Sequence, residues 1–303
     1  MPGRNKNGRQ VDGIVLLDKD SGISSNSALQ KVKKIFFAKK AGHTGSLDPL
    51  ASGILPICLG QATKVAGLLL DEDKRYIVRG LLGQSTSTGD SEGDVIEQRD
   101  FEHINKADIA SVCSSFVGPI KQIPPMYSAI KMAGKPLYKL ARQGIEVERN
   151  PRPVTIHDIS FINYSNGILT LDVACSKGTY IRTLIEDIGN NLGCGAHVIE
   201  LRRTGFASID ISQTITLTEL EELESDDYTL LDEKIFATED MLPSLDRVCL
   251  DQQQSIDMSF GRKIYYGNNI EPGLVRMFDN EGKFIGIGEP NIDGFITVKR
   301  LFI

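Results

Sequence analysis

One run of twelve residues, Gly42-His43-Thr44-Gly45-Ser46-Leu47-Asp48-Pro49-Leu50-Ala51-Ser52-Gly53, holds the densest set of groups suited to chemistry. Its three glycines allow unusual backbone angles and close approach of a ligand. Pro49 has a fixed φ and biases Asp48 away from helical geometry. A carboxylate is thereby held on a stiffened turn, flanked by polar groups and His43, where an ionised Asp could act as a nucleophile. The same residues suit a purely structural bend, and taken alone they leave both readings open. A second run, Ser176-Lys177-Gly178-Thr179-Tyr180-Ile181-Arg182, falls where a strand gives way to a helix. Thr179 is the expected cap, which places Tyr180 and Arg182 in the first helical turn. The helix dipole favours acids rather than an arginine there. A functional arginine and a surface ion pair both explain it. A third run, Asp18-Lys19-Asp20-Ser21-Gly22, lacks the glycine and acid spacing of a calcium loop. Gly22 also replaces the Thr or Val that an aspartyl-phosphate phosphatase would carry. A turn with Asx-type hydrogen bonds is the simpler expectation.

These residues need elements to position them. Ile14–Leu17 reads as a short buried strand leading into the polar turn at Asp18–Gly22. After Ser24-Ser25, the residues Ala28, Leu29, Val32, Ile35 and Phe36 recur at helical spacing. Tyr76–Leu82 reads as a strand, and Asn105 as the cap of a helix turning Ile109, Val112, Cys113 and Phe116 inward. Val154–Phe161 and Leu169–Cys175 show strand patterning, the second with clean alternation. Ile181, Leu184, Ile185, Ile188 and Leu192 form a helical stripe that Gly193 stops. Thr218 with Glu221 is expected to box the start of an acidic helix. Between these elements, residues 124–153 carry five prolines, several bases, Tyr127 and Tyr138, the texture of an ordered excursion from the main body. From about Leu245 the pattern changes. Val275–Phe278, the turn Asp279–Gly282 and Phe284–Ile287 read as a hairpin, and Phe295–Val298 as a further strand. Two domains are therefore expected, residues 1–246 and a small β unit over 247–303.

Composition narrows the class. Apolar residues make up 41% of the 303 and charged residues 24%, enough for a full core. No apolar run approaches a membrane span, and the first ten residues lack the apolar core of a secretory signal. Five scattered cysteines without a C-x-x-C pair, and only four histidines, argue against disulfide and zinc frameworks. The expected compartment is the cytoplasm. The net charge of −6 conceals segregation. Residues 1–66 hold ten Lys/Arg against four Asp/Glu, and residues 121–152 seven against two. Residues 211–246 hold one base against eleven acids, which reads as a solvated helix face. The two basic blocks are candidates for phosphate contact.

Taken together, the chain resembles the TruB family of tRNA pseudouridine synthases. The resemblance lies in Leu17–Ser25, the whole Gly42–Gly53 loop, Lys74-Arg75-Tyr76, Ser176–Arg182, Gly195-Ala196-His197-Val198 and Leu201-Arg202-Arg203-Thr204-Gly205, in that order. Asp20 stands where the family usually has proline. The resemblance implies an α+β pseudouridine synthase fold: a mixed, mostly antiparallel sheet with flanking helices and a thumb insertion at about 124–153. It also implies a small C-terminal PUA-like β-barrel that binds RNA. It further implies no cofactor and no metal, a T-arm stem-loop of tRNA as partner, and isomerisation of the T-loop uridine. No membrane or protein partner is implied.

By the same resemblance Asp48 is the nucleophile and Arg182 its partner. Tyr76 stacks on the target base, Tyr180 and Leu201 line the uracil pocket, and His43 contacts RNA near the flipped nucleotide. Burial would raise the pKa of Asp48 and Arg182 would lower it, and the ion pair is expected to prevail. Competing readings are an RNA-folding module with incidental catalysis, a magnesium hydrolase using Asp18 or Asp20, and a synthase acting on another RNA.

Overall fold

The computed structural model describes residues 8–302 apart from 133, 268–270 and 272. Strands β1 (Gly13–Lys19), β2 (Ala41–His43), β3 (Ser52–Leu59) and β4 (Lys74–Leu82) come first, followed by a small hairpin of β5 (Gln84–Thr86) and β6 (Val95–Gln98). Next are β7 (Gly118–Gln122) and a second small hairpin, β8 (Lys131–Met132) with β9 (Lys135–Pro136). The long strands β10 (Arg152–Ser165), β11 (Ile168–Cys175) and β12 (Ala196–Phe206) precede the short β13 (Ile209–Asp210) and β14 (Ile215–Thr216). The main sheet runs β14-β1-β3-β12-β4-β11-β10-β7, with β2 on β3 and β13 on β12. Among the described residues only its β1–β14 and β3–β12 pairings are parallel. The sheet is thus mixed and mostly antiparallel, as the resemblance implies.

Helices α1 (Ser25–Ile35), α2 (Ala66–Leu69), α3 (Lys106–Ser115), α4 (Leu137–Ala141) and α5 (Ile181–Asn191) lie between the strands. Ser24 caps α1 by accepting from the Ser27 amide at 3.1 Å. Asn105 caps α3 in a box completed by Asp108. Two expected caps are corrected. Thr179 instead turns its hydroxyl to the Ser176 carbonyl, and Tyr180 occupies the α5 N-cap without a side-chain bond. For the acidic helix α6 (Leu217–Glu222), the box is Thr216 with Glu219, not Thr218 with Glu221. Both pairs share one spacing, and burial of Leu217 and Leu220 selects the earlier register. The acidic stretch is not one solvated face either. It breaks into α6 and α7 (Thr229–Asp232), and Asp232 binds Arg9, whose guanidinium sits 4.2 Å from the Tyr228 ring centroid. Arg9 is therefore engaged by protein. Most of the remaining basic arm lies outside the described residues.

The unbroken apolar run of β1 has a direct cause. Val15 and Leu17 enter the main core with α1 and α5, whereas Ile14 and Leu16 enter a second core on the opposite face. A strand covered on both sides has no polar alternation. By contrast β11 buries Leu169, Leu171, Val173 and Cys175 and turns Thr170 and Asp172 outward. The expected turn at Asp18 is corrected: Asp18 and Lys19 belong to β1, and Asp18 pairs with Arg202 at 2.6 Å. That ion pair removes the reason to assign Asp18 a metal.

A second sheet is built from β15 (Asp246–Cys249), β16 (Ile264–Tyr265), β17 (Val275–Phe278), β18 (Phe284–Pro290) and β19 (Phe295–Leu301), in the order β15-β17-β18-β19-β16. Asp279 accepts from the amides of Glu281 and Lys283 and forms the turn of the predicted hairpin. Phe278, Phe284 and Ile287 of this sheet complete the second core, so the sheet packs against the face of β1 and β3 away from α1. Among the described residues no helix is long and apolar enough to cross a membrane.

Candidate active site

Sequence determines the placement of Asp48 through its immediate neighbours. The loop between β2 and β3 is clamped by Ser25, the first residue of α1, whose Oγ accepts from the Leu47 amide at 2.7 Å and donates to the Leu47 carbonyl at 2.9 Å. The Gly22 amide donates to the Pro49 carbonyl at 2.8 Å, and the Ala51 amide to the Asp48 carbonyl at 3.1 Å. Leu47 and Ala51 are buried anchors on either side of Asp48. Gly53 begins the return into β3 at φ +100°, where a Cβ would lie 2.2 Å from the Arg203 carbonyl oxygen. Only glycine meets both conditions.

Asp48 opens onto a cleft of about 740 Å³. The Gly42–Gly53 loop forms one wall. β4 contributes Lys74 and Tyr76, and the turn between β5 and β6 contributes Asp90. The segment after β7 contributes Tyr127 and Tyr138, the start of α5 contributes Tyr180 and Arg182, and β12 contributes Arg203.

Arg182 is the hub. It is 4% exposed; its Nε meets Asp48 Oδ2 at 2.9 Å and its Nη1 lies 3.4 Å from Asp90 Oδ2. Nη1 also donates to the Thr88 carbonyl at 2.9 Å, and Nη2 to the Tyr127 carbonyl at 2.8 Å. A buried guanidinium needs such compensation. The two carboxylates outweigh the helix dipole that disfavours an arginine at this end.

The expected sign for Asp48 is corrected. Burial raises its carboxyl above the ordinary 3.8; Arg182 opposes the rise, Asp90 adds to it, and Lys19 opposes it. Desolvation at the cleft wall is the largest influence, and Asp90, which shares the same guanidinium, adds to it. Burial likewise raises the Tyr76 and Tyr180 phenols, while it lowers His43 with help from Arg203. Gln122 on β7 pins Tyr180 at both backbone groups, accepting from its amide at 3.0 Å and donating to its carbonyl at 3.2 Å. Among the described residues no group of three or more His, Cys, Asp or Glu is placed to hold a metal.

Residues 33–181 match the TruB family pseudouridylate synthase (N terminal domain), and residues 182–247 the tRNA pseudouridylate synthase B C-terminal domain. The chain belongs to the TruB family. Residues 247–302 match Pseudouridine synthase II TruB, C-terminal. The tRNA pseudouridine synthase B of Pasteurella multocida is 48% identical over 298 residues, covering 98% of this chain and 97% of the relative. That of Haemophilus influenzae (strain 86-028NP) is 50% identical over 293 residues, covering 96% and 95%. Among solved structures, the archaeal box H/ACA sRNP Nop10–Cbf5 complex has a chain with TM-score 0.73 and 24% identity, over 96% of this chain and 86% of that one. A Cbf5–Nop10–Gar1 complex gives TM-score 0.74 at 24% identity, over 99% and 93%. Those two likenesses show the fold.

Of the residues singled out in this TruB chain, His43, Asp48, Tyr76, Tyr180 and Arg182 line one cleft. Leu201 lies on the same face of the sheet, opposite Val78 and next to the Tyr76–Arg203 pair. It is packed in the main core, as Tyr76 is, two residues before Arg203 on the same face of β12, and Arg203 lines the cleft. Sequence reasoning missed Asp90, Gln122 and the structural role of Lys19. The acid-and-glycine run Gly89–Asp94 was a visible signal for Asp90. Nothing local marks Gln122, whose role exists only through contact with Tyr180. Lys19 is fully buried and donates to the Asp20 and Ile23 carbonyls at 2.8 Å, and burial lowers it to about 8.

Proposed function

We propose that this TruB-family enzyme isomerises the T-loop uridine of tRNA to pseudouridine, with Asp48 as the nucleophile acting on an extruded base. The observation that carries the reading is Asp48 opening onto the cleft, joined to a buried Arg182 at 2.9 Å, with Tyr76 and Tyr180 on the same walls. The names of the similar proteins support tRNA as the substrate. The reaction breaks the N1–C1′ bond, turns the uracil and rejoins it through C5; C5 gives up its proton and N1 gains one, so no atom is lost overall. Extruding the base costs about a few kcal/mol. Stacking on Tyr76 returns about 1–3 kcal/mol of that. Asp48 attacks as the carboxylate, and Arg182 favours that form against the burial that disfavours it. Bases of the 121–152 region on the rim meet RNA phosphates, and residues 247–303 act as a second, PUA-like RNA-binding domain beside the catalytic one at 1–246.

Incubation with unmodified tRNA and mapping of the product tests the reading. A single new pseudouridine in the T-loop is expected. Pseudouridine confined to other positions contradicts the proposed target.

A further inference from the structure

The cleft is electrically divided. On the Asp48 side, Arg182 has two carboxylates around it. On the Tyr76 side, His43, Lys74 and Arg203 share a wall, and the acids nearest Lys74, Glu72 and Asp73, act on it from beyond ion-pair distance. Strand pairing brings them together: Arg203 lies opposite Tyr76 and Phe206 opposite Lys74 across β12 and β4, and His43 lies on β2 against β3. Lys74 Nζ is 5.3 Å from the Phe206 ring centroid and the Arg203 guanidinium carbon 5.8 Å from it, so two cations flank one aromatic ring.

Among the described residues neither cation has a carboxylate at ion-pair distance. Lys74 donates to the Leu70 carbonyl at 2.8 Å and to that of Glu72. Arg203 Nε donates to the Ile54 carbonyl at 2.6 Å. Arg203 is 2% exposed, and its Nη2 is buried without an acceptor, as is Nδ1 of His43. Burial first and then Arg203 hold Lys74 down at about 8. A buried cation that lacks a counter-charge is costly to keep. An anion entering the wall would restore the balance and gain charge-assisted hydrogen bonds.

Uracil and ribose are neutral, and the anion nearest a target nucleotide is its own backbone. We propose that His43, Lys74 and Arg203 form a subsite for a phosphodiester group flanking the target nucleotide. The subsite rests on the reading of the cleft as an RNA-modifying site. Lys74 and His43 meet the phosphate oxygens, while Arg203, held by Ile54, supplies a fixed charge behind Tyr76. Phosphate capture there positions the backbone while the base reaches Asp48.

The test uses the full chain and T-arm stem-loops carrying a neutral methylphosphonate at the linkage 5′ or 3′ of the target. With all-phosphate RNA, Lys74→Gln is expected to weaken binding about tenfold and to lower the salt slope by about 0.7–0.9. With one of the two neutralised RNAs, wild type should lose the same factor and Lys74→Gln nothing more. Arg203→Gln should repeat the pattern, and if that variant fails to fold, the Lys74 arm decides alone. An equal Lys74→Gln penalty on charged and neutral RNA, or none on either, overturns the subsite. Wild type that makes pseudouridine yet ignores charge at both linkages overturns the subsite while sparing the function. Wild type that makes no pseudouridine in any of these RNAs overturns the functional reading and the subsite with it.

Discussion

The loop carrying Asp48 and the segment over 124–153 both reach Arg182, yet they are held in opposite ways. The loop lies between two paired strands, with buried anchors at Leu47 and Ala51 and both backbone groups of Leu47 bound to Ser25. The 124–153 segment is mostly exposed and bonds chiefly to itself, as between the Tyr138 amide and the Ser128 carbonyl at 3.1 Å. One of its ties to the cleft wall is the Tyr127 carbonyl on Arg182. Preorganisation and capture are thus divided between them. On the proposed function, the loop would set Asp48 before RNA arrives, and the more exposed segment would adjust around the RNA.

Arg182→Lys attacks the one side chain common to both regions and should have the largest effect. An ammonium cannot serve Asp48, Asp90, Thr88 and Tyr127 together, and single-turnover rates should fall about a hundredfold. A rate close to wild type would show that the two regions are not coupled through this residue. Ser25→Ala comes next. It leaves the buried Leu47 backbone groups unpaired, at a cost of about 1–3 kcal/mol in denaturant unfolding, with a matching loss of single-turnover rate. If stability falls and the rate does not, loop rigidity is irrelevant to the chemistry. Replacing residues 128–147 by a short Gly-Ser linker should weaken RNA binding about tenfold while leaving thermal unfolding nearly unchanged. Strong destabilisation would show that the segment is as firmly built into the fold as the loop.

The smallest effect concerns a third region touching Arg182. Glu186, one turn along α5, packs against Gly89, where a Cβ would lie 2.9 Å from the Glu186 carboxyl carbon. Burial, with Asp187 adding, raises Glu186 from 4.5 to about 7. A carboxyl raised in the folded state contributes stability that is present below its unfolded pKa of 4.5 and lost as pH rises through about 7. Glu186→Gln should therefore flatten the decline in denaturant midpoint between pH 4.5 and values above 7. An unchanged decline would assign it to other groups.

Much of the frame was legible because the signal was local. The continuous run of β1, the alternation of β11, the stripe of α5 and the Asn105 cap each follow from a few adjacent residues. The Asp48 loop was legible for the same reason, since glycine, proline and spacing are all within it. What escaped was long-range. Thr179 looked like a cap, but Gln122, 58 residues away, holds Tyr180 instead. Asp18 looked like a turn acid, but Arg202 draws it into the sheet. The sign of the Asp48 shift depends on desolvation at the cleft wall and on Asp90, and no spacing encodes either. Leu201 and Arg203 share a strand face, so alternation could not tell which of them reaches the cleft.

On the proposed function Asp48 performs the chemistry and is not needed merely to hold the site together. Asp48→Asn, nearly isosteric and able to keep a hydrogen bond to Arg182, tests this through paired measurements of T-arm binding and pseudouridine formation. Binding close to wild type and no pseudouridine are expected. Turnover near the wild-type rate would contradict that role.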